Sequence, residues 1–202
     1  MSPTTATTEP EQMQPSPAGG GRPDRHTYYM GIAMAVRERA DCLGSRVGAI
    51  IVVANRIVAT GYNGTPENMT NCSEGGCHRC AHREEYPSGT GYDLCICVHA
   101  EQNALLAAAR FGIAVQGGVV YTTMRPCFGC TKEMLQAGIS GVYYLHEWTH
   151  PDPDKRSQYE LLQGRFVDGL RRMELEDPRA EWALPSRRSA RPATDETGHA
   201  VA

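Results

Sequence analysis

A protein that grips long nucleic acid through its phosphates needs a surplus of Lys and Arg, and this sequence has none. Twenty Lys and Arg face 23 Asp and Glu, a formal net charge of −3 over 202 residues. That balance argues against a polymeric nucleic-acid partner but leaves room for a single nucleotide, which needs only a few cations in a pocket. No run of about 18 apolar residues occurs, so no membrane-spanning helix is expected. Residues 1–21 lack the basic start and apolar centre of a secretion signal, and the expected compartment is the reducing cytoplasm. No internal repeat is visible. The length suits one domain with tails, and a hydrophobic content of 41% is enough for a packed core.

Eight cysteines are present. In a reducing compartment such a number points to metal rather than to disulfides. Residues 1–23 are mostly Thr, Pro, Gln, Ser and Gly, and residues 185–202 are similar; both stretches are expected to be disordered tails. Residues 24–184 form the expected domain. Asp24 or Thr27 caps a first helix carrying Met30, Ala33, Met34 and Arg37. The β-branched run 47–53, a tight turn over 54–56 and a run over 57–62 predict a hairpin. Residues 63–97 are rich in Gly, Cys and His and lack periodicity; loops this long are functional or metal-stapled. Next come a helix over 100–111, a strand over 119–123 and a helix over 127–136. A strand over 142–145, a helix over 157–170 and a strand over 172–176 complete the series. The order predicts an α/β fold: a three-layer α/β/α sandwich around a mixed five-stranded sheet.

The chemistry sits in His99-Ala100-Glu101 followed by Pro126-Cys127-Phe128-Gly129-Cys130, the order of the zinc deaminase signature. Cys127 and Cys130, three apart at a helix start, place both sulfurs on one face. The free N–H groups and dipole there favour thiolates. With one nitrogen from His99 they leave a fourth tetrahedral position for water. Glu101 falls beside the metal, where it takes a proton from an activated water and delivers protons to N3 and the departing amine as oxygen replaces nitrogen at C4. A structural zinc or redox role is the competing reading of the cysteine pair. A structural site, however, has no use for Glu101.

A second cluster comprises Cys72, Cys77, Cys80, Cys95 and Cys97, with His78 and His82 nearby and Cys42 before the first strand. Without a staple such a Gly-rich loop could hardly order itself. A second, structural zinc is expected. Cys72, Cys77, Cys80 and Cys95 are the first choice of ligands, with Cys42 and Cys97 as competitors. Free buried thiols are the alternative.

Over residues 28–176 the sequence resembles the deoxycytidylate (dCMP) deaminase family of the cytidine deaminase superfamily. The resemblance rests on Val47-Gly48-Ala49-Ile50-Ile51, Gly61-Tyr62-Asn63-Gly64-Thr65-Pro66, and the run from Asn71 to Cys80. It also rests on Cys95-Ile96-Cys97-Val98-His99-Ala100-Glu101 and Gln136-Ala137-Gly138-Ile139. It implies conversion of dCMP to dUMP and ammonia, a homo-oligomer, and control by dCTP and dTTP with Mg2+. It also implies nucleotide contacts at Asn63 and Gly64, and at Ala100 between the ligand and the acid. Two positions depart from the family pattern. Trp148 stands where Tyr is common, near the pyrimidine. Arg125 stands where an apolar residue is common, either binding an anion or lying on the surface. Rival readings follow: a deaminase of dCTP, a modified cytidylate or another amino-heterocycle, or a non-catalytic zinc-stapled nucleotide-binding module.

Overall fold

The computed structural model describes residues 21–184; residues 1–20 of the expected tail 1–23, and all of the expected tail 185–202, lie outside the described residues. The first helix, α1 (Arg25–Arg37), begins at Asp24, whose carboxylate accepts from the Thr27 N–H at 3.0 Å and from its hydroxyl at 2.6 Å. Strands β1 (Gly48–Val53) and β2 (Arg56–Tyr62) form the expected hairpin. Its two-residue turn puts Ala54 and Asn55 at φ 47° and 61°, the left-handed pair that matches strand twist.

Three more strands complete the sheet: β3 (Val119–Met124), β4 (Gly141–His146) and β5 (Gly169–Arg172). The order is β2-β1-β3-β4-β5, with β1 antiparallel to both neighbours and β3, β4 and β5 parallel. Helices α3 (Ala100–Arg110), α4 (Phe128–Gln136) and α5 (Pro153–Gln163) complete the larger elements.

Alternation along β1 divides the core. Ile50 and Val52 pack with Tyr29, Met30 and Ala33 of α1. Ile51 packs on the other face with Ala104 and Ala108 of α3 and Cys130 and Met134 of α4. The result is the expected α/β/α sandwich on a mixed five-stranded sheet. At about 25 cal/mol per Å2 of apolar surface, each fully buried Ile or Met contributes about 1.5–3 kcal/mol.

Two elements differ from expectation. Helix α5 runs Pro153–Gln163 rather than 157–170, because Asp152 caps the N–H groups of Asp154 and Lys155 and Pro153 takes the first turn. Past Gly164, Phe166 enters the core from a non-helical connection while Val167 is exposed. Strand β5 therefore starts at Gly169, earlier than the expected 172–176. The long segment 63–97 holds only a short helix, α2 (His78–Ala81), and two 3-10 turns.

Gly61 sets how closely the start of α3 packs on β2. A Cβ there would lie 2.1 Å from the Ala100 carbonyl oxygen and 2.4 Å from the Ala104 nitrogen. Only glycine lets α3 lie this close to β2, and α3 carries His99 at its cap and Glu101 in its first turn.

Candidate metal centre and active site

His99 is the N-cap of α3 and Cys127 the N-cap of α4. The Gln102 side chain holds the α3 cap by accepting from the His99 N–H at 3.0 Å. Its amide also donates to Glu133 at 2.8 Å, tying α3 to α4. Both helix starts lie beside the carboxyl end of β3, where open α/β sheets bind ligands.

His99 Nδ1 lies 3.3 Å from Cys127 Sγ and 3.4 Å from Cys130 Sγ, and the two sulfurs are 3.5 Å apart. A tetrahedral zinc with bonds of about 2.0–2.1 Å to nitrogen and about 2.3 Å to sulfur needs edges of about 3.6 and 3.8 Å. The three atoms need spread only slightly to hold the ion, so the donor set fits zinc. The Cys127 thiol is held well below the ordinary range by hydrogen bonding with Cys130 and by His99, despite its burial. Burial alone would lower His99, yet the Cys127 sulfur holds it up to about 9.

Glu101 is buried, and its Oε1 accepts from the Thr122 hydroxyl of β3 at 2.9 Å. Burial pushes its carboxyl above the usual range; His99 and the Thr122 hydrogen bond pull the other way. A carboxyl raised in this manner, inside a cleft, suits proton transfer.

These groups open on a cavity of about 370 Å3 whose wall also includes Asn63, Ala100, Arg125 and Trp148. Four of the five expected substrate contacts thus share one cavity with His99, Glu101 and Cys127. Gly64 lies outside the wall; its backbone pairs with Val98 in both directions, at 2.9 and 3.3 Å. Asn63 has a structural task as well. Its Oδ1 accepts from the Val47 N–H at 2.7 Å and its Nδ2 donates to the Ser45 carbonyl at 2.8 Å, holding the entry to β1. Arg125 is neither unpaired nor merely superficial. It donates to Glu147 at 2.6 Å and to Gln163 at 2.6 and 2.9 Å, so its charge is already met. Trp148 packs among Tyr92, His150 and Tyr159.

Six cysteines gather nearby, and four of them, Cys42, Cys80, Cys95 and Cys97, line the same wall. Cys42, Cys72, Cys80 and Cys97 form one group with all sulfurs within 4.8 Å of one another, and Cys77, Cys80, Cys95 and Cys97 form another. The expected set Cys72, Cys77, Cys80 and Cys95 is therefore split between two groups, and both competitors, Cys42 and Cys97, are members. Chain spacing could not reveal this, because Cys42 arrives from the connection between α1 and β1. His78 and His82 belong to neither group; they stack on each other at 4.1 Å.

Sequence reasoning missed Thr122, although a Thr in an otherwise apolar buried strand was a usable signal. It also missed the three cavity residues Arg79, Arg83 and Tyr92, which lie in an aperiodic loop and carry no signal in their spacing.

Residues 23–146 match the family described as the cytidine and deoxycytidylate deaminase zinc-binding region. The chain belongs to this family. It is 42% identical over 123 residues to a deoxycytidylate deaminase of Schizosaccharomyces pombe, a match covering 61% of this chain and 37% of the relative. It is 38% identical over 134 residues to the deoxycytidylate deaminase of Mycobacterium phage D29, covering 62% of this chain and 98% of the relative. This chain thus spans well under half of the yeast protein and nearly all of the phage one. The crystal structure of dCMP deaminase from cyanophage S-TIM5 in complex with dCMP and dUMP superposes with a TM-score of 0.57 at 28% identity. That match covers 76% of this chain and all of the phage chain.

Proposed function

We propose that the protein hydrolyses dCMP to dUMP and ammonia. The observation that carries this reading is a buried acid, Glu101, on one cavity wall with the His99–Cys127–Cys130 triangle. A zinc held by these three side chains supplies Lewis acidity that lowers the pKa of water towards about 7. Glu101 accepts the proton released as water adds to C4 and returns it to N3; it then takes the proton of the new C4 hydroxyl and passes it to the amino group, which leaves as ammonia while C4 becomes a carbonyl. Thr122 keeps the carboxylate in place during these transfers. Trp148 offers an aromatic face for the pyrimidine, and the amide of Asn63 retains one lone pair and one hydrogen for sugar or base.

The monophosphate is supported by Arg79 and Arg83 on the same wall. Each donates to backbone carbonyls, of Thr90 and Leu43 respectively, and neither makes an ion pair among the described residues. Relatives named as deoxycytidylate deaminases, and a structural neighbour holding dCMP and dUMP, support the same substrate.

The assay is ammonia release from dCMP against deoxycytidine, dCTP and a panel of amino-heterocycles. A preference for dCMP is expected; equal turnover of deoxycytidine and dCMP would defeat the monophosphate reading. A Glu101→Ala protein that retains zinc and still turns over would defeat the mechanism.

The reading extends to a structural zinc in the cysteine-rich loop and to a reducing, cytoplasmic location, which thiolate ligands need. It includes a homo-oligomer, supported by two large apolar side chains exposed on this side of the chain, Leu106 within α3 and Phe111 at its C-cap. The family resemblance also supports regulation by dCTP and dTTP with Mg2+.

A further inference from the structure

We infer that the cysteine-rich loop holds two zinc ions, not one, in a single six-thiolate cluster bridged by Cys80 and Cys97. This rests on the reading that the loop is stapled by metal and specifies how.

The two four-cysteine groups are not separate sites. Cys80 and Cys97 belong to both, so their union is six residues: Cys42, Cys72, Cys77, Cys80, Cys95 and Cys97. A structural zinc takes four ligands in a tetrahedron, so one ion cannot use all six. Two tetrahedra that share an edge use six ligands. In that arrangement Cys42 and Cys72 complete one metal, Cys77 and Cys95 complete the other, and Cys80 and Cys97 serve both.

The sulfur separations have the right size. With Zn–S bonds of about 2.3 Å, the edge of a tetrahedron is about 3.8 Å. Cys42 lies 3.8 Å from Cys80 and 4.0 Å from Cys97, close to a tetrahedral edge from each of the two shared sulfurs. In the second group Cys95 lies 3.8 Å from both Cys77 and Cys80. A disulfide would need about 2.05 Å, and all six are free thiols.

Charge is compatible with the same count. Six thiolates and two zinc ions leave a net charge of −2, the same as four thiolates around one. The single-ion alternative must leave two thiols packed against the cluster without a metal, either Cys42 with Cys72 or Cys77 with Cys95. Backbone N–H groups of Leu43 and Gly44 already point at the sulfurs of Cys72 and Cys42, at 3.4 and 3.3 Å, as donors to thiolates do. These are the sulfurs that the single-ion alternative centred on Cys77 and Cys95 would leave as neutral thiols.

The test is zinc content of the purified, full-length protein by mass spectrometry, joined to X-ray absorption at the zinc edge. Three zinc ions per chain are expected, one at His99, Cys127 and Cys130 and two in the cluster. A zinc–zinc vector shorter than about 4.6 Å, twice the Zn–S bond, is expected with them. Single substitutions provide a second readout. Cys42→Ser and Cys77→Ser should each lose one zinc, whereas Cys80→Ser and Cys97→Ser should lose two. Two zinc ions per chain would overturn the binuclear cluster and leave a single staple standing. One zinc ion would overturn both. Three without the short vector would overturn the bridging. The wild-type measurements stand even if a substituted chain fails to fold.

Discussion

Replacing Thr122 with Val tests the proton-handling role of Glu101 without touching the carboxyl itself. The Thr122 side chain is fully buried and Val has nearly its shape, so β3 and the core should survive. What disappears is the hydroxyl that donates to Glu101 Oε1 at 2.9 Å. A hydrogen bond to a charged acceptor is worth about 1.5–3 kcal/mol. One pKa unit corresponds to about 1.36 kcal/mol. The bond favours the ionised carboxyl, so losing it raises the Glu101 pKa further. Only ionised Glu101 accepts the proton from water. The acid side of the kcat/KM profile for dCMP should therefore move to higher pH, with a loss of about 10- to 100-fold on that side, the rate equivalent of the lost bond, and a smaller loss at high pH. The measurement is a full pH–rate profile of both proteins, with zinc content checked in each. An acid side that stays where it was in a Thr122→Val enzyme with normal zinc would refute the assignment of that pKa to Glu101.

Glu101→Gln should abolish turnover yet stabilise the metal-free protein at neutral pH, because it removes a buried charge. The folded pKa of Glu101 lies above its unfolded value, so its favourable contribution is complete at low pH and is lost as pH rises through the folded pKa. The difference in melting temperature between wild type and Glu101→Gln should accordingly widen from acid to neutral pH. Asp177→Ala should cost about 3–5 kcal/mol in denaturant unfolding, since Arg37, buried and bonded to it at 2.6 and 2.8 Å, would keep an unmatched charge. Gly61→Ala should displace α3 through its clash with the Ala100 carbonyl, lowering both zinc retention and turnover; an active, zinc-replete variant would show that α3 can yield.

What the sequence disclosed and what it hid divide by range along the chain. Strands β1 to β4 and helices α3 and α4 were legible because a period of two or of 3.6 repeats within a few residues. His99, Glu101, Cys127 and Cys130 were legible because their chemistry depends on spacing within a single helix turn. The start of α5 was misjudged although Asp152 and Pro153 signal it locally, and its end was placed past Gly164, where the helix stops. Partners that meet only through the fold left a weaker trace or none. Thr122 reaches Glu101 from another layer unannounced, and Cys42, which the sequence offered only as a competing ligand, joins Cys72, Cys80 and Cys97 from before the first strand. Arg125 meets Glu147 and Gln163, the latter on α5, so its pairing could not be read from its own neighbourhood.

The cysteine cluster and the reacting centre are two parts of one wall. Cys42, Cys80, Cys95 and Cys97 line the same cavity as His99 and Glu101, and only Val98 separates Cys97 from His99. The loop that the cluster ties down also supplies Arg79, Arg83 and Tyr92 to the cavity, and Tyr92 meets Trp148 edge-on at 6.4 Å. The Gly89 carbonyl contacts the His150 ring at 3.2 Å. Loosening the cluster should therefore release the phosphate- and base-facing side of the pocket before it disturbs the proton-transfer side, which α3, α4 and β3 hold independently. A Cys77→Ser protein is the appropriate probe, because Cys77 lies outside the cavity wall and belongs to one four-cysteine group only. Its KM for dCMP should rise about 10-fold or more while kcat falls much less, a loss of about 1.4 kcal/mol in binding. Equal losses in kcat and kcat/KM would instead mean that the cluster positions His99 directly through the short Cys97–His99 link.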